Sequence, residues 1–208
     1  MAEVKKTFSD SKIYPIFFMI LITVIFIGFL ATFYEITASK VKAYETENNQ
    51  RIILQLFELP TDNLQKNYND FIEVKKHGPR EYFLAAKDGK ILGYAFPIKG
   101  SGLWGTIEAV VAVTPDFDRI IAFDITKQNE TPGLGGRITE PEFKEQFGNK
   151  KLLQNDKVIK YNLVAEDDKA GEFKISQITG ATQSSKAVVQ MLYKELKLIR
   201  EEIGVSYE

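Results

Sequence analysis

The sequence predicts an α+β protein: a single N-terminal transmembrane helix followed by an antiparallel-sheet domain with flanking helices. Three observations carry that expectation. An apolar run from Ile13 to Tyr34 contains no Asp, Glu, Lys or Arg. Strand-like segments then arrive as neighbours instead of alternating with helices, the order expected of an antiparallel sheet. Near the C-terminus, Val188, Leu192, Leu196, Ile199 and Ile203 form one apolar stripe of a final helix.

The apolar run is about the ~20 residues a helix needs to cross the ~30 Å hydrocarbon layer. A core helix would show a polar face, and this run has none. A signal peptide is the competing reading, but its apolar core is shorter and ends in small residues. We therefore expect an uncleaved anchor over 13–34 behind a polar tail, residues 1–12. Lys5, Lys6 and Lys12 precede the run, while Lys40 and Lys42 follow it at slightly greater distance. That bias favours a cytoplasmic N-terminus and places residues 36–208 outside the cytoplasm. Residues 36–60 continue as an amphipathic stalk helix, with Val41, Tyr44, Ile52 and Leu56 on one stripe, and Pro60 is the expected stop.

Residues 61–208 read as the folded domain. Glu81–Lys87 and Lys90–Phe96 flank Asp88-Gly89, a strong hairpin signal. Gly105–Val113 and Arg119–Ile125 pair around Thr114–Asp118, and Lys157–Val164 with Phe173–Ile178 read as a further pair. The last helix is expected over about Gln183–Gly204.

Composition narrows the chemistry. The chain of 208 residues has a net charge of −1 and shows no basic run interleaved with aromatics, so nucleic acid is not an expected partner. With no cysteine there is no disulfide, no thiolate chemistry and no iron–sulfur cluster held by this chain. The single histidine, His77, lies in the polar stretch Lys75–Pro79 and reads as a solvated loop residue. Hydrolase triads and metal centres are therefore poor readings, and redox chemistry would require a bound cofactor.

Three stretches are left over by packing. Gly100-Ser101-Gly102-Leu103-Trp104-Gly105 places the only tryptophan in a glycine-rich bend before a strand. Glu130-Thr131-Pro132-Gly133-Leu134-Gly135-Gly136 follows a strand. Ser176-Gln177-Ile178-Thr179-Gly180-Ala181-Thr182-Gln183-Ser184-Ser185 sets hydroxyls at the mouth of the last helix. There the first backbone N–H groups lack partners and the dipole is positive, which suits a phosphate; Gly180 lets backbone approach it. Each stretch also has a plain reading: two turns, and a helix capped by Thr182 or a neighbour. A Rossmann reading fails, because neither glycine-rich loop gives G-x-G-x-x-G between a strand and a helix.

Together, the T-G-A-T segment, E-T-P-G-L-G, the G-x-G-L-W loop and the anchor resemble the RnfG/NqrC family. These are FMN-binding subunits of the RNF and Na⁺-translocating NADH:quinone oxidoreductase complexes. The resemblance covers the chain from anchor to final helix. It implies an FMN-binding domain over 61–208 with FMN joined to Thr182 as a phosphoester. Thr179, Gly180, Ala181, Gln183, Ser184 and Ser185 would surround the phosphate. Leu103, Trp104, Glu130, Thr131 and Leu134 would line the isoalloxazine. Ser176 stands where the family pattern usually has Asp. The resemblance further implies an electron relay, without a catalytic side chain or metal site of its own, in an RNF-type ferredoxin:NAD complex or its NADH:quinone sibling. Expected partners are the other membrane subunits, lipid and a flavin transferase. The expected location is the cytoplasmic membrane, with the flavin domain outside. A colourless anchored binding module is the alternative from another class; a free-standing flavin reductase would need a nicotinamide site that is not recognisable here.

Overall fold

In the computed structural model, residues 13–166, 168 and 171–203 are described; the polar tail 1–12 lies outside them. The chain divides into two compact units, residues 1–46 and 47–208. Helix α1 runs without interruption over Tyr14–Leu56, so the expected anchor and stalk are one helix. The reason is local: after Pro15 no proline interrupts the run until Pro60. Phe17, Phe18, Ile27, Leu30 and Phe33, spread around the helix, are all exposed. Thr32 and Thr37 donate their hydroxyls back to the Gly28 and Phe33 carbonyls at 2.8 and 2.9 Å. This apolar segment thus presents few unsatisfied polar groups, as a lipid environment demands.

The helix stops before Pro60. Glu58 adopts φ 54°, and the Leu59 N–H bonds back to the Leu54 carbonyl at 3.0 Å while that of Glu58 bonds Gln55. This is the left-handed C-terminal turn that closes many helices, with proline just beyond it. Ile52, Ile53, Leu54 and Leu56 are buried in the second unit.

The second unit is built on a five-stranded meander, β1 (Ile72–His77), β2 (Arg80–Lys87), β3 (Lys90–Ser101), β4 (Thr106–Val113) and β5 (Ile120–Lys127), in sequential order. All its neighbours pair antiparallel. Asp88 and Gly89 both have positive φ, giving the tight turn expected between β2 and β3. A short helix α2 (Leu64–Phe71) leads into β1. His77 is exposed and ends that strand instead of lying in a loop, paired with Arg80 across the turn. The sheet buries both faces. Ala85, Ala95, Val110 and Ala112 pack with the end of α1 and with α2. Phe96, Ile107, Val111 and Phe123 pack on the other side with helix α4 (Thr182–Ile203) and with Phe143 and Phe147. The Phe123 and Phe147 rings lie 4.7 Å apart. Burying each such side chain stabilises by roughly 1.5–3 kcal/mol.

Between β5 and α4 the chain forms a 3₁₀ turn (Gly135–Thr139), a one-turn helix α3 (Pro141–Lys144), and short strands β6 (Leu153–Gln154), β7 (Lys157–Val158), β8 (Asn162–Val164) and β9 (Lys174–Ser176). The late strand pair differs from expectation. β7 turns back on β6, and β8 pairs with β9 in parallel. Two details fix α4. Arg80 Nε and Nη1 reach Glu202 and Glu195 at 2.6 and 3.3 Å. A Cβ at Gly100 would sit 2.8 Å from Met191 Cγ, so α4 crosses β3 where only glycine fits. The N-terminus of α4 is thereby held near the β3–β4 bend.

Candidate functional site

The site is assembled around Glu130. The residue is buried, 4% exposed, although it lies in a glycine-rich loop. Its Oε1 accepts the backbone N–H of Leu103 at 2.8 Å and of Trp104 at 3.1 Å. Its Oε2 accepts the Ser184 hydroxyl at 2.5 Å. One carboxylate therefore ties the β3–β4 bend, the loop after β5 and the start of α4. The glycines around it are small by necessity. A Cβ on Gly102 would fall 2.3 Å from Glu130 Oε1, and one on Gly135 would fall 2.5 Å from Ser184 Oγ. The bend is closed by Gly102 N–H to the Gly105 carbonyl at 2.7 Å. The second loop is closed by the Leu134 and Gly136 N–H groups on the Thr131 carbonyl, at 3.1 and 2.9 Å.

At the mouth of α4, Gly180 has φ 78°, and the Ala181 N–H bonds the Ile178 carbonyl at 2.9 Å. The helix ladder begins with Ser185 N–H on the Ala181 carbonyl. Among the described residues the N–H groups of Thr182, Gln183 and Ser184 find no acceptor. They stand at the positive end of a 22-residue helix, a combination that favours an anion. The Thr182 hydroxyl makes no hydrogen bond among these residues. Ser184 and Ser185 are different: both are buried, and Ser185 Oγ accepts the Ile178 N–H at 3.1 Å. Their hydroxyls serve the protein, leaving Thr182 and Gln183 as the uncommitted side chains of the first turn.

Beside this mouth lies an unusual surface. Trp104 is 70% exposed, Leu103 57% and Leu134 49%. Leu134 Cδ2 lies 3.2 Å from where a Gly180 Cβ would stand, so the second loop touches the motif. Thr131 is exposed beside it. Exposed apolar side chains beside free N–H donors suit a ligand with an aromatic body and an anionic tail.

Two groups escape a reading of the sequence. Glu166 Oε2 accepts the Thr179 N–H at 2.7 Å, and Arg137 pairs with Glu166 at 3.5 Å and with Glu140 at 3.1 Å. Hydrogen bonding with Thr179 holds the Glu166 carboxyl below its ordinary range, and Arg137 adds to this. Gln146 braces Ser176 by accepting its N–H at 2.7 Å and donating to its carbonyl at 3.2 Å. These links cross 13 and 30 residues, and no local pattern announces them.

Residues 102–197 match the family described as FMN-binding domain. The chain is 35% identical over 134 residues to the RnfG subunit of the proton-translocating ferredoxin:NAD(+) oxidoreductase complex of Clostridium ljungdahlii, covering 64% of this chain and 68% of that protein. It is 33% identical over 107 residues to the NqrC subunit of the Na(+)-translocating NADH-quinone reductase of Neisseria meningitidis, covering 51% of this chain and 42% of that protein. The match therefore spans less than half the length of the latter protein. The crystal structure of Shewanella oneidensis NqrC superposes with a TM-score of 0.64 at 18% identity, over 75% of this chain and 99% of that one. That likeness establishes the fold.

Proposed function

The chain belongs to the RnfG/NqrC family of FMN-binding subunits of ion-translocating oxidoreductases, and from that premise we propose that it is a membrane-anchored electron carrier with FMN esterified to Thr182. The observation that carries the attachment is the Thr182 hydroxyl: without a partner among the described residues, and set beside three unpaired N–H groups. Thr179 is drawn towards Glu166 through its N–H, and Ser184 and Ser185 are turned inward. FMN supplies the capacity to take up and release electrons singly or in pairs. The protein's part is to hold and orient it. The helix terminus stabilises the one negative charge of a phosphodiester by roughly 0.3–1 kcal/mol. Leu103, Trp104 and Leu134 would give the ring apolar surfaces.

In maturation a transferase would present the flavin-side phosphorus of FAD to the exposed Thr182 hydroxyl: the Oγ–P bond would form as the P–O bond to AMP breaks, and the hydroxyl proton would be lost. The anchor sets the location: α1 is long and apolar enough to span the cytoplasmic membrane, and the lysines before it argue for a domain on the outer side. Between the two complexes, the ferredoxin:NAD type is the better fit, since the match covers 68% of the clostridial protein and 42% of the neisserial one. The other membrane subunits of that complex are its partners.

Expression with and without a flavin transferase, followed by intact and peptide mass analysis, tests the reading. The expected result is an FMN adduct on the Thr182 peptide alone, absent from a folded Thr182→Ala protein. FMN on Thr179 or Ser184, or a chain that stays colourless with an active transferase, would sink it. The colourless outcome would favour an anchored binding module.

A further inference from the structure

Trp104 makes no ring contact among the described residues, and its side chain stands mostly in solvent. Packing therefore does not hold the bend that carries it. The bend is held by the Gly102–Gly105 backbone bond and by Glu130, which receives the N–H groups of both Leu103 and Trp104. The same carboxylate holds Ser184, two residues after Thr182 on α4. Both of its oxygens are thus occupied by donors from two other segments of the chain. A residue 4% exposed with both oxygens engaged has little left to offer a ligand. Gly102 and Gly135 give way to that carboxylate sterically, since a Cβ on either would collide with Glu130 or Ser184.

We infer that Glu130 is a positioning residue: it fixes the Leu103–Trp104 wall relative to the Thr182 hydroxyl before any cofactor arrives. The inference rests on the proposed flavin site but concerns the protein without its flavin. Three donors converge on one carboxyl group, whose two oxygens offer enough lone pairs to accept them all. Bracing a loop in its bound conformation removes ordering that a ligand would otherwise have to drive. The role depends on the reach of the side chain, because the bonds span three separate segments. Charge at that point is secondary.

The full chain made without a transferase allows a direct test, since Trp104 is its only tryptophan. Time-resolved tryptophan anisotropy reports whether the bend turns with the protein or by itself. Two variants separate reach from charge. Glu130→Gln keeps the length and one carbonyl oxygen for the two N–H groups, and Ser184 can rotate to accept from the new amide. Glu130→Asp keeps the charge but withdraws the carboxylate by one methylene. Beyond the fast motion of the exposed indole itself, which all forms share, a dominant slow, protein-like component is expected for Trp104 in the wild type and largely in Glu130→Gln. An additional local component is expected in Glu130→Asp, and in Glu130→Ala if that protein folds. After flavin loading, the two loosened proteins should lose structure in the visible flavin bands, and Glu130→Gln should regain it. The inference falls if Glu130→Gln is as mobile as Glu130→Asp or more so, or if every variant remains rigid. A chain that never takes up flavin would defeat the proposed function and leave the anisotropy result standing.

Discussion

Among the described residues, two groups of exposed large apolar side chains invite comparison, one along α1 and one at the candidate site, and their surroundings differ. On α1 they cover every side of an uncharged stretch, with Phe17, Ile27, Leu30 and Phe33 all more than half exposed. At the site there are three, Leu103, Trp104 and Leu134, carried on two loops. The helix has threonine hydroxyls folded back on its own carbonyls, so its surface asks for nothing directional. The loops rest on a buried carboxylate and stand beside unpaired N–H donors. Undirected apolar surface suits a solvent such as lipid; apolar surface framed by polar groups suits one ligand in one orientation.

Removing one region should leave the other intact, and this is the largest expected effect. A protein beginning at Glu47, where the second unit starts, should stay in aqueous solution and fold, while the full chain partitions into detergent or membrane. Circular dichroism and sedimentation of both forms check it. A Glu47 form that aggregates or lacks cooperative unfolding would break the separation.

A sharper cut lies within α1 itself. Leu54 is fully buried and Leu30 is 62% exposed, although both belong to the same helix. Leu54→Ala should destabilise the domain by about 2–5 kcal/mol, and Leu30→Ala should leave its unfolding unchanged. Denaturant titration of the domain reads both. Equal effects would mean that the helix is one energetic unit.

How much of this is legible in the sequence depends on the range of the interaction. The uncharged run, the Asp88-Gly89 turn and the stripe of α4 each declare themselves over a few residues. The hydroxyl-rich start of α4 does too, because glycine and the helix onset are local signals. Strand β1 does not: Ile72-Glu73-Val74-Lys75-Lys76-His77 is a charged edge strand, and edges are kept polar to prevent stray pairing. The β8–β9 pair runs parallel against expectation, because strand order alone does not reveal a parallel return. The continuity of α1 is obscured by its change from apolar to amphipathic composition. Glu130 reads in the sequence as a wall of the ligand site. Nothing in a glycine-rich loop signals that its acid is buried and bonded on both oxygens.

The apolar wall itself gives a smaller effect. Trp104→Ala should leave the FMN mass on Thr182 unchanged, because the side chain is on a different loop from the attachment. It should alter the visible flavin spectrum by removing a stacking surface, a contribution of roughly 0.5–1.5 kcal/mol. An unchanged spectrum and potential would place Trp104 with the exposed apolar side chains of α1, without a directional role.

The smallest effect concerns the polar frame and its pH dependence. Glu166 lies at the surface, yet its carboxyl sits below the ordinary range because Thr179 donates to it and Arg137 lies beside it. A carboxyl depressed in the folded state binds its proton more readily once the loop is released. Its contribution is therefore complete above the ordinary carboxylate range and is lost as pH falls through the depressed value. The Thr179 turn should loosen in that acid window alone, while the domain, whose core is apolar, stays folded. Amide exchange at Thr179, corrected for intrinsic pH dependence, should accelerate on acidification in the wild type. In Glu166→Ala, which leaves no acceptor for the Thr179 N–H, it should already be fast at neutral pH and show no further change. Were the two proteins to exchange alike at every pH, the turn would be held by Gly180 and α4 alone, and Glu166 would be a bystander on the surface.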